Sequence, residues 1–244
     1  MLKFYLMDND GVIDFYDDYV SHQKATGINE RLYSLYKRCK QLGLNTHSNF
    51  LELGCGIGSF TRLLARSVKM GNVEAVDISP KSIEYAQKNI RAVNIKFSDA
   101  DILQYTPSLQ QIDFISLFDV IEHIPLVKHH FLFRQLSSIS DDHTKILINI
   151  PNPCYIEYLQ KTNPEGLQVI DQAVWLSNIV NNAEQNGLQV DFFETYSIWV
   201  QNDYQFFVIS KKKQFTEVKL SDKKTIAQKA IKKIEMTYVK KRYD

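Results

Sequence analysis

A short apolar stretch, Phe50–Leu51–Glu52–Leu53, runs directly into Gly54–Cys55–Gly56–Ile57–Gly58 and then into a helical pattern over Ser59–Val68. Glycines at alternate positions permit a backbone turn too tight for residues with side chains, and they let a ligand approach the main chain. The free N–H groups at the start of the following helix favour an anionic group. A strand, a glycine-rich turn and a helix in this order belong to open α/β sheets, where ligands bind beyond the carboxyl ends of the strands.

The rest of the chain repeats the alternation. Val73–Asp77 predicts a second strand and Ser79–Ile90 a helix. Ile95–Phe97, Asp113–Phe118 and Lys145–Ile150 predict three more strands, with a helix over Leu126–Ser138 between the last two. A helix over Ala173–Asn186 stops at Gly187, and strands near Gln189–Trp199 and Tyr204–Ser210 are joined by a hairpin loop at Gln201–Asn202–Asp203. Short apolar strands separated by helices imply a parallel sheet covered on both faces, to which the final hairpin adds an antiparallel edge strand. Ahead of the first strand, Leu32, Leu35, Tyr36, Cys39 and Leu42 recur at helical spacing within Asn29–Leu42, and Gly43 is a natural stop. Phe15–Tyr16–Asp17–Asp18–Tyr19 suits a short helix lying over the domain. The expected organisation is an N-terminal helical cap over 1–45, an α/β domain over 46–211 and a basic, helical appendage over 212–244.

Composition narrows the class. The chain has 244 residues, 44% hydrophobic and 23% charged, which excludes a disordered, collagen-like or disulfide-stapled protein. No apolar run reaches the roughly 20 residues that span a bilayer. Met1–Asp10 lacks a secretory signal pattern. Cys39, Cys55 and Cys154 lie far apart with no paired spacing, which points to a reduced, cytoplasmic setting. The net charge of +1 conceals an asymmetry, because 12 Lys or Arg and only four acids fall within Lys211–Asp244. The body is therefore acidic and the tail basic. Ile226, Ala230, Ile231, Ile234 and Tyr238 recur near helical spacing in that tail. Three roles are open to it: packing on the body or a second subunit, which is preferred, contact with an anionic membrane surface, or contact with nucleic acid. The scarcity of Arg weighs against the last, because bidentate phosphate recognition favours Arg.

Two carboxylates indicate the ligand. Asp77 closes the second strand, 23 residues after Gly54, where it can accept from both hydroxyls of a ribose. Glu52 stands just before the first glycine. A carboxylate beside a pyrophosphate is repulsive, whereas beside an ammonium and a sulfonium it is favourable. The spacing G-x-G-x-G, with Ser59 where a dinucleotide fold would place its third glycine, also departs from the dinucleotide pattern. Both points favour S-adenosyl-L-methionine over a nicotinamide dinucleotide.

With Leu51–Gly58, the segments Val76–Asp77–Ile78–Ser79–Pro80, Asp101–Ile102–Leu103 and Phe118–Asp119–Val120–Ile121–Glu122–His123–Ile124 make the chain resemble the class I S-adenosylmethionine-dependent methyltransferases. The resemblance runs from about Phe15 to Ser210 and is nearest to the ubiquinone-biosynthesis-like, small-molecule branch. It implies a Rossmann-like α/β fold: a seven-stranded, mostly parallel sheet with an antiparallel last strand and helices on both faces. By position it implies that Glu52 and the backbone of Gly54, Gly56 and Gly58 hold the methionine moiety, that Asp77 holds the ribose and that Ile78 packs on the adenine. The acid that accepts from the adenine amino group is Asp101, with Ile102 beside it, or else Asp99. Phe118 completes the cofactor site at the fourth strand. The implied substrate pocket draws on Phe15–Thr26, with Tyr16, Tyr19 and His22, and on Asn149–Gly166, with Asn152, Pro153, Tyr155 and Tyr158.

His123 is the candidate catalytic residue, as a general base for an acceptor hydroxyl, because imidazole is the side chain best suited to exchange a proton at neutral pH. It also suits a structural role at a strand-to-helix turn. With Asp119 and Glu122 it forms D-x-x-E-H, an oxygen-rich set that could hold magnesium or manganese, but the first acid is one methylene shorter than in relatives with E-x-x-E-H, and no metal ligand is assigned. His129 and His130 fall on different faces of one helix and suit a solvated surface. Cys154 follows the fifth strand without a second cysteine and suits a small buried position. The expected function is methyl transfer to a small-molecule acceptor, at oxygen, with a sugar or glycan unit among the acceptors considered. The alternatives are an RNA methyltransferase that uses the basic tail and a non-catalytic S-adenosylmethionine-binding partner subunit.

Overall fold

The computed structural model of the protein describes residues 9–168, 170–214, 217 and 225–243. The chain divides into two compact units, Met1–Lys212 and Lys213–Asp244.

The first unit is built on seven strands: β1 (Phe50–Leu53), β2 (Val73–Asp77), β3 (Ile95–Asp99), β4 (Phe114–Phe118), β5 (Lys145–Pro151), β6 (Leu188–Tyr196) and β7 (Tyr204–Lys211). They form one sheet in the order β3-β2-β1-β4-β5-β7-β6. Neighbours among β1 to β5 run parallel, and β7 runs antiparallel to both β5 and β6. The last strand is thus the reversed one. It lies inside the sheet, so the edge that the hairpin supplies is β6. The chain leaves β1 in one direction towards β2 and β3 and later returns beside it as β4. That reversal opens a crevice at the carboxyl ends of β1 and β4, the usual ligand position in such sheets.

Local chemistry sets the helices α1 (Asn9–Thr26), α2 (Glu30–Gln41), α3 (Thr61–Ser67), α4 (Pro80–Asn89), α5 (His129–Ile139), α6 (Pro153–Thr162) and α7 (Leu176–Gln185). The Asn29 side chain caps α2 by accepting from the Leu32 N–H at 3.0 Å. Ser79 caps α4 in the same way, with Pro80 at the first helical position. Helix α6 falls in a stretch that the alternation of strands and helices left as a pocket segment, although Asn152 and Pro153 start it with the same cap-and-proline signal. Its Cys154 is exposed and not buried. Helix α1 has 18 residues, far more than the aromatic and acidic stretch suggested, because its apolar residues lack a clean period.

The pleat sends alternate strand residues to opposite cores. Leu51, Leu53, Ile115, Leu117, Ile146 and Ile148 pack with Leu132, Phe133 and Leu136 of α5 and Ile179 and Ala183 of α7. Phe50, Phe114 and Leu147 face the other side and pack with Leu32, Leu35 and Cys39 of α2 and Leu63 and Leu64 of α3. Leu35 is fully buried there, and truncating it to Ala should cost about 2–5 kcal/mol. Helix α2 is also pinned to β6, through an Arg38–Glu194 ion pair and the Arg38 guanidinium 4.1 Å from the Tyr196 ring centre.

In the second unit, helix α8 spans Ile226–Tyr243. It carries Ile226, Ile231, Ile234 and Tyr238 exposed, at the spacing read from the sequence. Residues 215–216 and 218–224 of the expected appendage, and residues 1–8 of the expected cap, lie outside the described residues.

Candidate functional site

A cavity of about 620 Å³ opens at the carboxyl ends of β1, β2 and β4, with α1 along one side. The turn after β1 forms its floor. Gly54 and Gly56 hold φ of +79° and +51°, which residues with a Cβ rarely adopt. A side chain at Gly54 would overlap Val120, and one at Gly56 would meet the Gln23 amide Nε2 at 2.8 Å. Gly58 stands apart. It does not line the cavity, its N–H donates to Cys55 O at 2.9 Å, and its missing side chain admits Ile90 of the segment closing α4. Its φ of +79° suits glycine as well, and the space kept for Ile90 adds a packing reason for its place in the turn.

Two buried carboxylates flank this floor. Asp77 accepts from Gly56 N at 2.7 Å through Oδ2 and from Ser79 N at 2.9 Å through Oδ1, which ties the ends of β1 and β2 together. Burial raises its pKa despite these bonds. Glu52 is 4% exposed and accepts one hydrogen bond, from the Thr61 hydroxyl at 2.6 Å. Burial pushes its pKa up to about 8. Ile78, Asp101, Ile102 and Phe118 line the same cavity. Asp99 is exposed at the end of β3 and lies outside it, so of the two acids considered after the third strand only Asp101 faces the space. Asp101 Oδ1 accepts from Leu103 N at 2.9 Å, which shapes the turn.

Beyond β4 the cavity changes character. Asp119 holds φ of +54°, one of two non-glycine residues among those described with a positive φ, and forms an ion pair with Arg31 of α2. Strain of this kind persists only where the surroundings enforce it, and it clusters at functional sites. Glu122 is 1% exposed, and neither carboxylate oxygen has a hydrogen-bond partner. Burial pushes its pKa up to about 7. His123 Nδ1 bonds to the Ile170 carbonyl and lies 3.3 Å from Asp171 Oδ1, and Nε2 lies 3.9 Å from Glu122 Oε1. With Asp119 turned to Arg31, the three acid and imidazole side chains do not converge, and among the described residues no three His, Cys, Asp or Glu form a group suited to a metal. His129 is fully buried, a correction to the solvated reading: its Nε2 bonds to the carbonyls of Ile121 and Ile124 at 3.0 and 2.9 Å and so fixes the loop that carries Glu122 and His123.

Of the expected substrate residues, Tyr16, Tyr19, His22 and Tyr155 line the cavity, whereas Asn152, Pro153 and Tyr158 do not. Asn152 is used as the α6 cap, and Tyr158 is exposed. Tyr16 lies edge-on to His123, ring centres 6.3 Å apart. Burial raises its pKa, and the Glu122 charge adds to the effect. Sequence reasoning missed Asp17, Gln23, Arg31 and Asp171. Gln23 Oε1 accepts from Ile57 N at 3.2 Å, so α1 reaches the glycine turn itself. No local pattern announces these residues, since each acts on a partner far away in the chain.

The chain belongs to the methyltransferase domain family, whose model matches residues 24–191. The fold is that of the class I S-adenosylmethionine-dependent methyltransferases. Among curated relatives, the trans-aconitate 2-methyltransferase of Enterobacter sp. is 30% identical over 103 residues, 41% of this chain and 40% of the relative. The ubiquinone biosynthesis O-methyltransferase of Coxiella burnetii is 24% identical over 151 residues, 57% of this chain and 63% of the relative. The chain thus spans less than two thirds of the length of these relatives. Among solved structures, magnesium protoporphyrin IX methyltransferase from Synechocystis with bound SAH aligns with a TM-score of 0.67 at 17% identity, covering 84% of this chain and all of that one. Among the described residues, no helix is long and apolar enough to cross a membrane.

Proposed function

We propose that the protein transfers the methyl group of S-adenosyl-L-methionine to an oxygen of a small-molecule acceptor. The observation that carries this reading is the placement of Glu52 and Asp77 on either side of the Gly54–Gly56 floor. Glu52 is a buried carboxyl with a single neutral partner, and its ionised form needs a cation to be stable. The ammonium group of the cofactor is such a cation, and a pyrophosphate is its opposite. Asp77 keeps acceptor capacity beyond its two backbone bonds and would receive the ribose hydroxyls. Ile78 and Ile102 would flank the adenine, with Asp101 accepting from its amino group, and Phe118 would close the site at β4. When bound, S-adenosylmethionine supplies an electrophilic methyl group.

The acceptor end follows from the cavity beyond β4. Aromatic walls with a few polar tips suit a small organic molecule, and His123 is the candidate base that takes the proton of an acceptor hydroxyl. The names of related malonyl-acyl carrier protein and ubiquinone O-methyltransferases support an oxygen target. Sugar or glycan units are acceptors of this kind. A reduced, cytoplasmic setting is part of this reading, supported by three cysteines that lie far apart in the sequence.

The test has two stages. Calorimetry should show micromolar-range binding of S-adenosylmethionine or S-adenosylhomocysteine and little binding of nicotinamide dinucleotides. Acceptor screening with methyl-labelled cofactor should then yield a product, and His123→Ala should lower turnover by about 10²–10⁴-fold without changing cofactor affinity. Activity lost in chelator and restored by magnesium or manganese would overturn the base in favour of a metal site. Cofactor binding with no turnover across broad acceptor panels would favour a non-catalytic partner subunit.

A further inference from the structure

His123 reaches its place through two segments that are far apart in sequence. It ends the short 3₁₀ turn Ile121–His123, and one edge of its ring meets the loop before α7. The groups on that edge are the carbonyl oxygen of Ile170 and, 3.3 Å from Nδ1, the carboxylate of Asp171. Both can only accept a hydrogen bond, so Nδ1 must carry the hydrogen. Nε2 is then left with a free lone pair, 3.9 Å from Glu122 Oε1, and both residues line the cavity.

Asp171 is itself held. Its Oδ2 accepts from Gln168 N at 2.7 Å, and its main-chain oxygen accepts from Gln160 Nε2 at 3.1 Å. The next residue fastens the loop to the turn that bears the histidine: Gln172 N donates to Glu122 O at 3.1 Å, and its Nε2 donates to Ile124 O at 2.9 Å. The loop is therefore bonded to the β4 turn on both sides of His123. The charged and titratable groups around the ring are Asp171 from the loop, Glu122 from the turn and Tyr16 from α1.

We propose that Asp171 is a positioning residue that holds His123 in the Nδ1–H tautomer, so that Nε2 is the nitrogen that accepts the acceptor's proton. This rests on the reading of His123 as base. When the acceptor O–H bond breaks, the proton passes to Nε2 and the electron pair stays on the acceptor oxygen. The ring then carries a positive charge, and the Asp171 carboxylate beside Nδ1 stabilises it. The Ile170 carbonyl orients the ring but has no charge to offer. The arrangement follows the general logic of an oriented base, in which a third group fixes the ring and the tautomer.

The tautomer can be read without knowing the acceptor. Long-range proton–nitrogen correlation spectra of the full-length, nitrogen-15-labelled protein, recorded above neutral pH, distinguish the two neutral forms. Comparison with His123→Gln assigns the signals. The wild type should show His123 as Nδ1–H. Asp171→Asn, nearly the same shape but with an amide that can donate to Nδ1, should give a mixture of tautomers, whereas Asp171→Ala, which leaves the Ile170 carbonyl as acceptor, should keep more of the Nδ1–H form. Unchanged His129 signals in each variant would show that the fold and the neighbouring loop persist. A wild-type His123 in the Nε2–H form would overturn the proposal, as would pure Nδ1–H in folded Asp171→Asn. S-adenosylhomocysteine binding, measured on the same samples, reports separately on the methyltransferase reading and should be unaffected by either substitution.

Discussion

The Asp17 carboxylate of α1 accepts a hydrogen bond from the Ser79 hydroxyl at 2.6 Å, on the residue that caps α4 and directly follows the cofactor candidates Asp77 and Ile78. It also accepts from Lys81 N at 3.2 Å. Burial alone would raise its pKa, but these bonds outweigh that and hold the carboxyl below its usual range. One side chain thus fastens the N-terminal helix to the rim of the cofactor site.

Asp17→Ala should therefore loosen α1 without dismantling the sheet. We expect S-adenosylhomocysteine affinity to fall several-fold, chiefly through faster dissociation, because the wall formed by α1 opens more often. Stopped-flow displacement measures the rate, and an unchanged dissociation rate in a folded variant would show that α1 does not gate the site.

Asp77→Ala removes a carboxylate that both ties Gly56 to Ser79 and faces the ribose position. Hydrogen bonds to a charged group are worth about 1.5–3 kcal/mol each, so cofactor affinity should drop by at least tenfold. Calorimetry on protein shown to be folded by circular dichroism decides the point.

Glu122 should make stability fall as pH rises. Its folded pKa of about 7 lies above the ordinary 4.5, so the folded state keeps a proton that the unfolded chain has released. Stability is then lost progressively between those two values as pH climbs. Glu122→Gln removes this liability. The variant should melt at a higher temperature above pH 7, by up to about 3 kcal/mol of stability, and the difference should vanish near pH 4. Melting curves across that range give the answer, and a pH-independent difference would mean that the carboxyl is charged throughout.

Removal of residues 213–244, the second compact unit, should leave cofactor affinity within about twofold of the intact chain. Each cofactor candidate lies between Glu52 and Phe118, within the first unit. Loss of binding in a truncated but folded protein would assign the basic tail a part in the site.

The β1 turn, Asp77 at the end of β2 and the succession of strands along the chain could be read from the sequence because each rests on local pattern: a glycine spacing, a strand end, an apolar run. The residues expected to meet a cofactor, Gly58 apart, line one cavity for the same reason. The acceptor half of the cavity was less legible. Asp171 meets His123 across 48 positions, Gln23 meets Ile57 across 34, and Arg31 finds Asp119 across a wider gap still. Such pairings arise only once the sheet is assembled. Helix α6 was overlooked for a different reason, since the strand that precedes it ends in Pro151 and its first turn begins with Pro153, so the segment reads as punctuation before it reads as a helix. His129 was misjudged because a histidine beside a second histidine looks like surface, whereas its ring serves as an internal brace for two carbonyls.

The interior position of β7 has a consequence for biogenesis. During synthesis β5 emerges early, and the partner for its outer edge, Tyr204–Lys211, emerges after β6. The growing chain thus carries an unpaired and strongly apolar strand edge until nearly the whole first unit has left the ribosome. An exposed edge of that kind is a template for pairing with other chains. A nascent protein of this build should depend on chaperone cover over that interval, and chains stopped short of residue 211 should aggregate where complete ones fold.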